Sequence, residues 1–490
     1  MGCHMVARRS RLCAIILSTF IALCAVSIFS LWFGMNSDKD NVPPLLTQLI
    51  PAGHCSCQSA TIFNCSASEP IYTSPVFVSS PPESPEWEYD YVRDNANWGL
   101  SAEQCDSAFP GLFEDVNRAV KFWETRGGLT WQDLDAITMR NGMARALIHN
   151  NQLYVVRTHA AQEDHRRKIV AILSSIHRAL TSSPSTTPLP TFEFIFSIED
   201  KLEDIADPRR DPPTWALGRK ATEESVWLMP DFGFWAWENK YNKIGPYDQV
   251  ASRIVAREQQ VPWEEKKPQL VWRGKLSFAP KLRRGLLDAA RGKSWADVKE
   301  LVWTQKSNFL SMEEHCDYMF IAHVEGSSPS IHLSLVNQLT QKSILLTGRA
   351  FSSSLKYRQA CRSVVVSHEL QYIQHHHYLL QPSGPEQNFV QVSRDFSDLS
   401  SSIEPLLQNP AQARRIADKN VEVFRERYLT QAAEACYWRA LMRGYAGVFR
   451  AGDGMFLSGD VDERAVRYES FVLLPSEEMM EFGYVDYTSS

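Results

Sequence analysis

The sequence has no excess of positive charge and lacks several short motifs by which common enzyme classes are recognised. Its 490 residues include 51 Lys and Arg against 57 Asp and Glu, a net charge of −6. This argues against nucleic acid as a bulk partner, because such binding needs a basic surface. The sequence contains neither a GxxxxGK phosphate loop nor a GxSxG nucleophile elbow, so P-loop and α/β-hydrolase mechanisms are not indicated. No repeat of about 20–50 residues is present, which argues against a solenoid.

The sequence also lacks a convincing metal site. Cys55-Ser-Cys57 has no second cysteine pair to complete a zinc knuckle. His375-His376-His377 places three imidazoles on adjacent residues, whose side chains diverge on any regular backbone. Asp231-Phe232-Gly233 resembles the metal loop of a kinase, but no HRD catalytic loop accompanies it. None of these motifs indicates a site for a metal or a cofactor.

The N-terminal residues have the pattern of a membrane anchor. Arg8, Arg9 and Arg11 precede a nearly uncharged apolar run at 12–33, which is about the 20 residues that a membrane-spanning helix needs. A cleaved secretory signal is the alternative, but its apolar core is usually about 7–15 residues long. We therefore expect a cytosolic tail at 1–11 and a single-pass type II protein whose body lies in the lumen of the Golgi or endoplasmic reticulum.

Residues 34–90 are rich in Pro and Ser, as in "SPVFVSSPPESPEW". This composition predicts a stem that holds the body away from the membrane. The cysteines agree with a lumenal location, where disulfides persist. Because the cysteines after the apolar run are odd in number, one thiol is left over if the others pair: Cys55, Cys57, Cys65, Cys105, Cys316, Cys361 and Cys436.

After the stem the sequence alternates between helical and strand patterns. Such alternation predicts an α/β fold with a parallel sheet. Two successive runs predict two doubly wound domains that face a cleft, at 91–250 and 251–450. "RALIHNNQLYVVR" predicts a hairpin around Asn150-Asn151, and we interpret "PQLVW" as a strand and "SWADVKELV" as a helix. The tail at 451–490 is acidic and irregular.

Three predicted strands end in residues suited to a ligand, which in open α/β sheets lies at the carboxyl ends of the strands. Glu199-Asp200 follows "TFEFIFSI" and suits either a rigidly held general base or the cap of a helix. Arg273-Gly274-Lys275 follows "PQLVW" in a basic stretch that suits phosphate, although a solvated basic face has a similar pattern. Glu325-Gly326-Ser327-Ser328 follows "DYMFIAHV" and has groups that bind ribose hydroxyls and phosphate.

Taken together, these stretches resemble the capsule-associated (CAP-ten) glycosyltransferase family, which includes protein O-glucosyltransferases of the secretory pathway and fungal capsule xylosyltransferases. The similarity covers roughly residues 127–447 and looks closest to membrane-anchored fungal members. It is densest in the second half, in "LVWRGKLSFAPKLRR", "HCDYMFIAHVEG", "SLKYRQACRSVVVSHELQYIQHHHYLL" and "RERYLTQAAEACYWRALM".

The resemblance implies a GT-B architecture, in which two Rossmann-like domains face a cleft and the second holds a UDP-sugar. It implies inverting transfer of glucose or xylose to a protein or glycan hydroxyl without a metal, with Asp200 as the base. Cations of the basic stretch would stabilise the departing UDP in place of a divalent ion. The resemblance places at the UDP-sugar Arg273, Gly274, Lys275, Ser277, Arg283 (with Arg284 as an equal match), Glu325, Gly326, Ser327, Ser352, Ser353 and Lys356.

The resemblance also implies disulfides in the lumenal body. Cys316 and Cys361 match a pair that links the helices on either side of a strand. Cys436 matches the partner of a cysteine in the N-terminal Cys-Ser-Cys, which we take to be Cys55. Cys57 and Cys65 are further candidates.

Two departures from the family bear on activity. The insert "PSIHLSLVNQLTQKSILLTGR" at 329–349 matches nothing in the family, and we interpret it as a retained intron rather than a loop because its flanks join into a family-like motif. Ser354 stands where many members have Arg, so one phosphate contact is absent or comes from Lys356. The alternative function is therefore a catalytically inactive lumenal protein of the same fold that binds a nucleotide or glycan. A lumenal sulfotransferase would need a phosphate-loop-like turn near the start of the fold, which the sequence lacks.

Overall fold

The computed structural model describes residues 87–200, 212–237, 244–302, 308–326, 351–450, 461 and 464–483. Contacts group them into one compact unit, residues 85–490. Several predictions lie outside the described residues: the cytosolic tail, the membrane anchor, the stem up to residue 86, the insert at 329–349, most of the tail after 450, Ser327, Cys55, Cys57 and Cys65. Among the helices that are described, none is long and apolar enough to cross a membrane.

The described chain alternates helices and strands along most of its length. The α-helices are α1 (Tyr91–Asp94), α2 (Ala102–Ala108), α3 (Glu114–Glu124), α4 (Trp131–Asp135), α5 (Glu163–Thr181), α6 (Tyr247–Gln260), α7 (Pro280–Ala290), α8 (Leu355–Gln359), α9 (Leu399–Gln408), α10 (Pro410–Asn420), α11 (Gln431–Val448), α12 (Tyr468–Phe471) and α13 (Ser476–Met480). The strands are β1 (Met143–His149), β2 (Gln152–His159), β3 (Phe192–Ser197), β4 (Thr214–Ala216), β5 (Arg219–Lys220), β6 (Trp227–Leu228), β7 (Lys267–Gly274), β8 (Ala296–Glu300), β9 (Tyr318–His323), β10 (Val364–His368), β11 (Tyr372–Ile373), β12 (Val390–Val392) and β13 (Val466–Arg467). A π-helical stretch, Val421–Tyr428, continues α10.

The first sheet is mixed and has the strand order β13-β2-β1-β3-β4-β6. Strand β1 pairs antiparallel with β2 and β3, whereas β3, β4 and β6 run parallel. Asn150 and Asn151, with φ of 50° and 57°, form the tight turn between β1 and β2. Asn tolerates positive φ better than most residues, and the turn confirms the predicted hairpin. Every residue of β3 is buried, including Glu193, whose carboxylate pairs with Arg145 and Arg464.

Aromatic side chains fill the core beside this sheet. Phe194 of β3 stacks on Trp215 of β4 with the ring centroids 4.1 Å apart. Tyr445 of α11 packs edge-on against Trp215 and Trp227 at 5.4 and 5.1 Å, a geometry that aromatic quadrupoles favour. Helix α11 therefore packs in the core of the first sheet, although its sequence lies within the range 251–450 that was assigned to the second domain.

The second sheet has the strand order β12-β10-β9-β7-β8, and all of its pairings are parallel. The two sheets confirm the mixed α/β class with parallel strands. The prediction of a helix for "SWADVKELV" is wrong, because Ala296–Glu300 forms the edge strand β8 and pairs with Leu270–Gly274 of β7. Ala, Lys and Glu favour a helix locally, but pairing along the free edge of β7 overrides that preference.

Two disulfides join distant parts of the described chain. Cys316 and Cys361 are bonded, as the resemblance implied. The expectation that Cys436 pairs with Cys55 is wrong, because Cys436 is bonded to Cys105 with the Cα atoms 5.6 Å apart. The physical reason is that α2 packs against α11, where both cysteines are almost fully buried. A separation of 331 residues left no local pattern from which this pairing could be predicted.

Candidate active site

A buried ion pair links the loop after β6 in the first sheet to helix α8 beside the second sheet. Lys356 of α8 donates to both carboxylate oxygens of Asp231 at 2.7 and 2.8 Å and to the Ser353 carbonyl at 2.9 Å. Asp231 Oδ1 also accepts from the backbone N–H of Gly233 at 2.7 Å. Burial lowers the pKa of Lys356, whereas Asp231 opposes that change. The protein thus uses all three donors of this ammonium group, so a phosphate contact by Lys356 would require breaking a buried ion pair.

Strand β3 ends in the two acids that the sequence singled out. Glu199 turns toward α5, where its Oε1 lies 3.4 Å from His165 Nε2. Burial lowers the pKa of His165, so the imidazole is neutral near pH 7. Asp200 is partly buried at the same carboxyl edge and is the last described residue before 212. The contact with His165 ties Glu199 to the start of α5.

A cleft of about 400 Å³ lies beside this end of β3. Its walls are the first half of α5 and the aromatic residues after β6, including Asp164, Lys168, Phe232, Trp235 and Trp237. Lys168 Nζ lies 4.8 Å from the ring centroid of Phe232. The contact between Glu199 and His165 of α5 places the cleft next to the end of β3. An apolar, aromatic wall with a few polar groups is typical of a small-molecule site.

Arg273, the first cation of the basic stretch, is held by protein acceptors. Its Nη2 donates to Asp297 Oδ2 at 2.7 Å, Nη1 donates to the carbonyls of Trp272 and Asp297, and Nε donates to the carbonyl of Asn308 at 2.9 Å. Burial raises the pKa of Asp297, but hydrogen bonds from Arg273 and other neighbours lower it overall. Gly274 is also explained by packing, since an added Cβ would lie 2.5 Å from Trp272 Cζ2. A phosphate-binding role for Arg273 stays a prediction, and these contacts would have to break for it.

Arg283 lies in the first turn of α7, and its surroundings differ from those of Arg273. Its side chain is buried, whereas Arg284 is exposed, so the geometry favours Arg283 of the two matches. Nη1 donates to the Lys275 carbonyl at 2.6 Å, and the guanidinium lies 5.7 Å and 5.4 Å from the rings of Trp272 and Phe278. Nε has no hydrogen-bond partner, and no carboxylate in the described ranges pairs with Arg283. Burial lowers its pKa to about 10. A buried charge without a counterion is unfavourable, so this side chain is suited to an incoming anion.

Glu325 and Gly326 follow β9 and lie next to Arg283. Glu325 Oε1 accepts from the backbone N–H groups of Gln371 and Tyr372, both at 2.9 Å, and Oε2 accepts from Arg394 at 3.0 Å. The carboxylate therefore ties down the loop after β10, and only its remaining acceptor capacity is left for a ribose hydroxyl. An added Cβ at Gly326 would lie 2.2 Å from Arg283 Nη2, so the arginine occupies the space of a side chain there.

The other predicted residues are spread along the same edge. Ser277 is exposed in the short helix Leu276–Phe278, and Lys275 Nζ lies 5.4 Å from the Phe278 ring. Ser352 Oγ lies 2.9 Å from Ser354 Oγ, while the Ser353 carbonyl is taken by Lys356. Ser352 and Ser353 thus have protein partners, and a role of these two residues in ligand binding stays a prediction.

Sequence reasoning missed two residues that border Arg283. Arg358 of α8 donates from Nη1 to the Ala322 carbonyl of β9, and burial together with the charge of Arg283 lowers its pKa to about 9. His323 of β9 is buried, and its Nδ1 has no hydrogen-bond partner among the described residues. No local signal identified them, because Arg358 lies in an ordinary helical stretch and His323 in an apolar strand.

Residues 101–452 match the family model of glycosyl transferase family 90, which covers nearly all of the two sheets. The chain belongs to glycosyl transferase family 90. Several curated proteins are similar to this chain at 21–25% identity. The O-glucosyltransferase rumi homolog of Aedes aegypti is 23% identical over 54% of this chain and 63% of that protein. Protein O-glucosyltransferase 2 of Danio rerio is 25% identical over 63% of this chain and 57% of that protein.

The O-glucosyltransferase rumi of Drosophila melanogaster is 21% identical over 54% of this chain and 62% of that protein. The chain thus spans about three fifths of the length of these relatives. Membership of glycosyl transferase family 90 confirms the family resemblance seen in the sequence.

Proposed function

We propose that this member of glycosyl transferase family 90 is an inverting glycosyltransferase that moves glucose or xylose from a UDP-sugar to an acceptor hydroxyl. The observation that supports the proposal most is the state of Arg283. This guanidinium is buried next to Gly326 at the carboxyl end of β9 and has no carboxylate partner within the described ranges. Arginine in such a position offers fork-shaped donors to phosphate oxygens. The relatives named O-glucosyltransferases favour a sugar nucleotide as the phosphate-bearing ligand.

In the proposed reaction, Asp200 accepts the proton of the acceptor hydroxyl while the hydroxyl oxygen attacks the anomeric carbon of the donor. The bond between that carbon and the diphosphate oxygen breaks, and UDP leaves with the electron pair. Arg283 stabilises the negative charge that develops on the leaving diphosphate. One displacement of this kind inverts the configuration at the anomeric carbon, and the guanidinium supplies the positive charge that a divalent ion would otherwise supply.

We further propose a GT-B division of labour between the two sheets. The second sheet would hold the donor, because nucleotides bind at the carboxyl ends of parallel strands and this sheet is parallel throughout. The cleft beside β3 would hold the acceptor, a protein or a glycan, against Trp235 and Trp237. Asp200 lies at the end of the strand that borders this cleft, where a base must meet the acceptor hydroxyl.

The proposal places the protein in the lumen of the Golgi or endoplasmic reticulum, anchored as a type II protein by residues 12–33. The two buried disulfides, Cys105–Cys436 and Cys316–Cys361, support an oxidising compartment, because structural disulfides are rare in the cytosol.

The test is the release of UDP from a panel of UDP-sugars by the purified chain, with and without residues 329–349. Asp200→Asn removes the base and should lower kcat by about 10²–10⁴-fold while UDP affinity is kept. Glu199→Gln, the neighbouring carboxylate, should keep most of the activity. Equal losses in both variants would contradict the role of Asp200. If the wild-type chain binds UDP but turns over no UDP-sugar, the alternative of an inactive binding protein is correct instead.

A further inference from the structure

We propose that Arg358 is a second diphosphate-binding residue, which contacts one phosphate group of the nucleotide while Arg283 contacts the other. The inference rests on the proposed function, because it assumes that a nucleotide sugar binds at the carboxyl end of the second sheet. It adds a residue that neither the sequence pattern nor the family motif indicated.

The two arginines reach the same strand from different helices. Arg283 extends from α7, and its Nη2 fills the space of a side chain at Gly326. Arg358 extends from α8 and donates from Nη1 to the Ala322 carbonyl of β9. Strand β9 is the central strand of the sheet, so both guanidinium groups border the middle of the carboxyl edge, where α/β sheets bind their ligands.

Other cations at this edge have acidic partners. Arg273 pairs with Asp297 at 2.7 Å and Lys356 pairs with Asp231 at 2.7 Å, while Arg394 of the loop after β12 pairs with Glu325 at 3.0 Å. These three ion pairs are complete without a ligand and hold loops in place. Within the part of the chain that the structure describes, neither Arg283 nor Arg358 forms an ion pair.

The two arginines also carry an electrostatic cost in the ligand-free protein. Burial lowers the pKa of Arg283 to about 10, and burial together with the charge of Arg283 lowers the pKa of the partly exposed Arg358 to about 9. Two cations that are both shielded from water, even in part, are unfavourable until an anion binds between them. A site of this kind is arranged for ligand binding at the expense of stability.

His323 provides an independent sign of a ligand at the same place. It lies on β9 directly after Ala322 and is 1% exposed, and its Nδ1 has no hydrogen-bond partner in the part of the chain that the structure describes. Burial, followed by the charge of Arg358, lowers its pKa well below the usual value, so the ring is neutral. A buried polar atom is normally hydrogen-bonded in a native protein, and a phosphate oxygen or a water molecule bound with it would satisfy this ring.

Two guanidinium groups match two phosphate groups, which gives a test based on nucleotide length. We expect Arg358→Gln in the full-length chain to weaken UDP binding about ten- to hundredfold, the usual effect of losing a charge-assisted hydrogen bond. The same substitution should weaken the binding of UMP, which has one phosphate, less than about threefold, because UMP contacts Arg283 alone. Arg358→Lys keeps the charge but loses the fork, and should have an intermediate effect on UDP. Calorimetric titration of each nucleotide measures these affinities.

The matched control is Arg362→Ala, four residues further on, where the side chain is 38% exposed and pairs with Asp418 at 3.2 Å. It should leave both affinities unchanged. The melting temperature of ligand-free Arg358→Gln should equal or exceed that of the wild type, because the substitution removes a partly buried cation that has no acidic partner among the described residues.

A purely structural role for Arg358 gives a different result. In that case Arg358→Gln lowers the melting temperature and weakens UDP and UMP equally, or leaves both affinities unchanged, and either outcome overturns the inference. If these outcomes occur while Arg283→Ala still weakens UDP binding about ten- to hundredfold, the proposed function survives and only the role of Arg358 is lost. A wild-type chain that binds no UDP contradicts the proposed function itself.

Discussion

Replacing Glu434 with Gln should stabilise the protein at neutral and alkaline pH. Glu434 lies in α11 and is 4% exposed. Burial raises the pKa of its carboxyl group to about 7, although Arg178 and a hydrogen bond from Trp438 Nε1 at 3.2 Å favour the charged form. The guanidinium carbon of Arg178 lies 3.5 and 4.2 Å from the ring centroids of Trp98 and Trp235. Among the described contacts, Arg178 forms no ion pair with Glu434. The glutamate is therefore charged above pH 7 in a place that disfavours the charge.

The size of the effect follows from the pKa. Its rise from 4.5 in the unfolded chain to about 7 in the folded one corresponds to about 3 kcal/mol, since each pKa unit equals about 1.36 kcal/mol. Below pH 4.5 the carboxyl group is protonated in both states and carries no penalty. As the pH rises through about 7, the unfolded chain has already lost the proton that the folded chain still binds, so the free energy of unfolding falls by up to this amount.

Glu434→Gln cannot ionise and keeps an oxygen that accepts from Trp438. Urea unfolding at pH 4.5, 6 and 8 should therefore show nearly equal stability of wild type and variant at pH 4.5, and a growing advantage of the variant at higher pH, up to about 3 kcal/mol. Glu478→Gln, at an exposed position in α13, is the control and should show no pH-dependent difference. A Glu434→Gln protein that is less stable than wild type at pH 8 would refute the reasoning, because it would mean that the ionised carboxylate is net stabilising.

Two further predictions concern Arg283 and the disulfide between Cys316 and Cys361. Arg283→Ala should weaken UDP binding about ten- to hundredfold. Arg284→Ala, at the exposed neighbouring position, should change UDP affinity less than about twofold, because an exposed charge contributes little. A larger loss of affinity in Arg284→Ala would show that Arg284, and not Arg283, contacts the diphosphate. Replacing both Cys316 and Cys361 with Ser should lower the free energy of unfolding by about 4 kcal/mol, the loop-closure value for a separation of 45 residues. Denaturant unfolding of the double variant measures it, and an unchanged midpoint would show that the bond does not constrain the unfolded chain.

The elements that the sequence predicted correctly are those whose pattern is local. The hairpin needed only Asn150 and Asn151 between two apolar runs, and β3 and β9 are short, mainly apolar stretches of the length of a strand. Strand β8 was missed because it lies at the edge of the sheet and is partly solvent-exposed. Its exposed positions hold polar and charged residues, so the sequence lacks the apolar pattern of a buried strand. The pairing of Cys105 with Cys436 depends on the packing of α2 on α11, which no local pattern encodes.

The strand ends indicated where a candidate site would lie, but not which partners the individual side chains have. Arg273 and Arg283 are both cations near the exit of β7, and from sequence they are equivalent. Arg273 lies on the strand itself, with its side chain toward Asp297 of the neighbouring edge strand β8. Arg283 lies one helical turn into α7, with its side chain toward Gly326 in the loop that follows the central strand β9. Which cation has an acidic partner depends on the strand order, and the strand order cannot be derived from the sequence alone.

The ion pairs at the carboxyl edge give a physical criterion for separating structural cations from ligand-binding ones. Arg273, Lys356 and Arg394 each have a carboxylate within 3.0 Å, so an incoming anion would compete with an existing partner. Arg283 and Arg358 have no such competitor among the described residues, and an anion gains their full attraction. The paired cations fix the loops around the edge, and in the proposed site these loops would keep Arg283 and Arg358 oriented before a nucleotide binds. Preorganised charge of this kind is what a leaving diphosphate requires, because no rearrangement is then needed as the bond breaks.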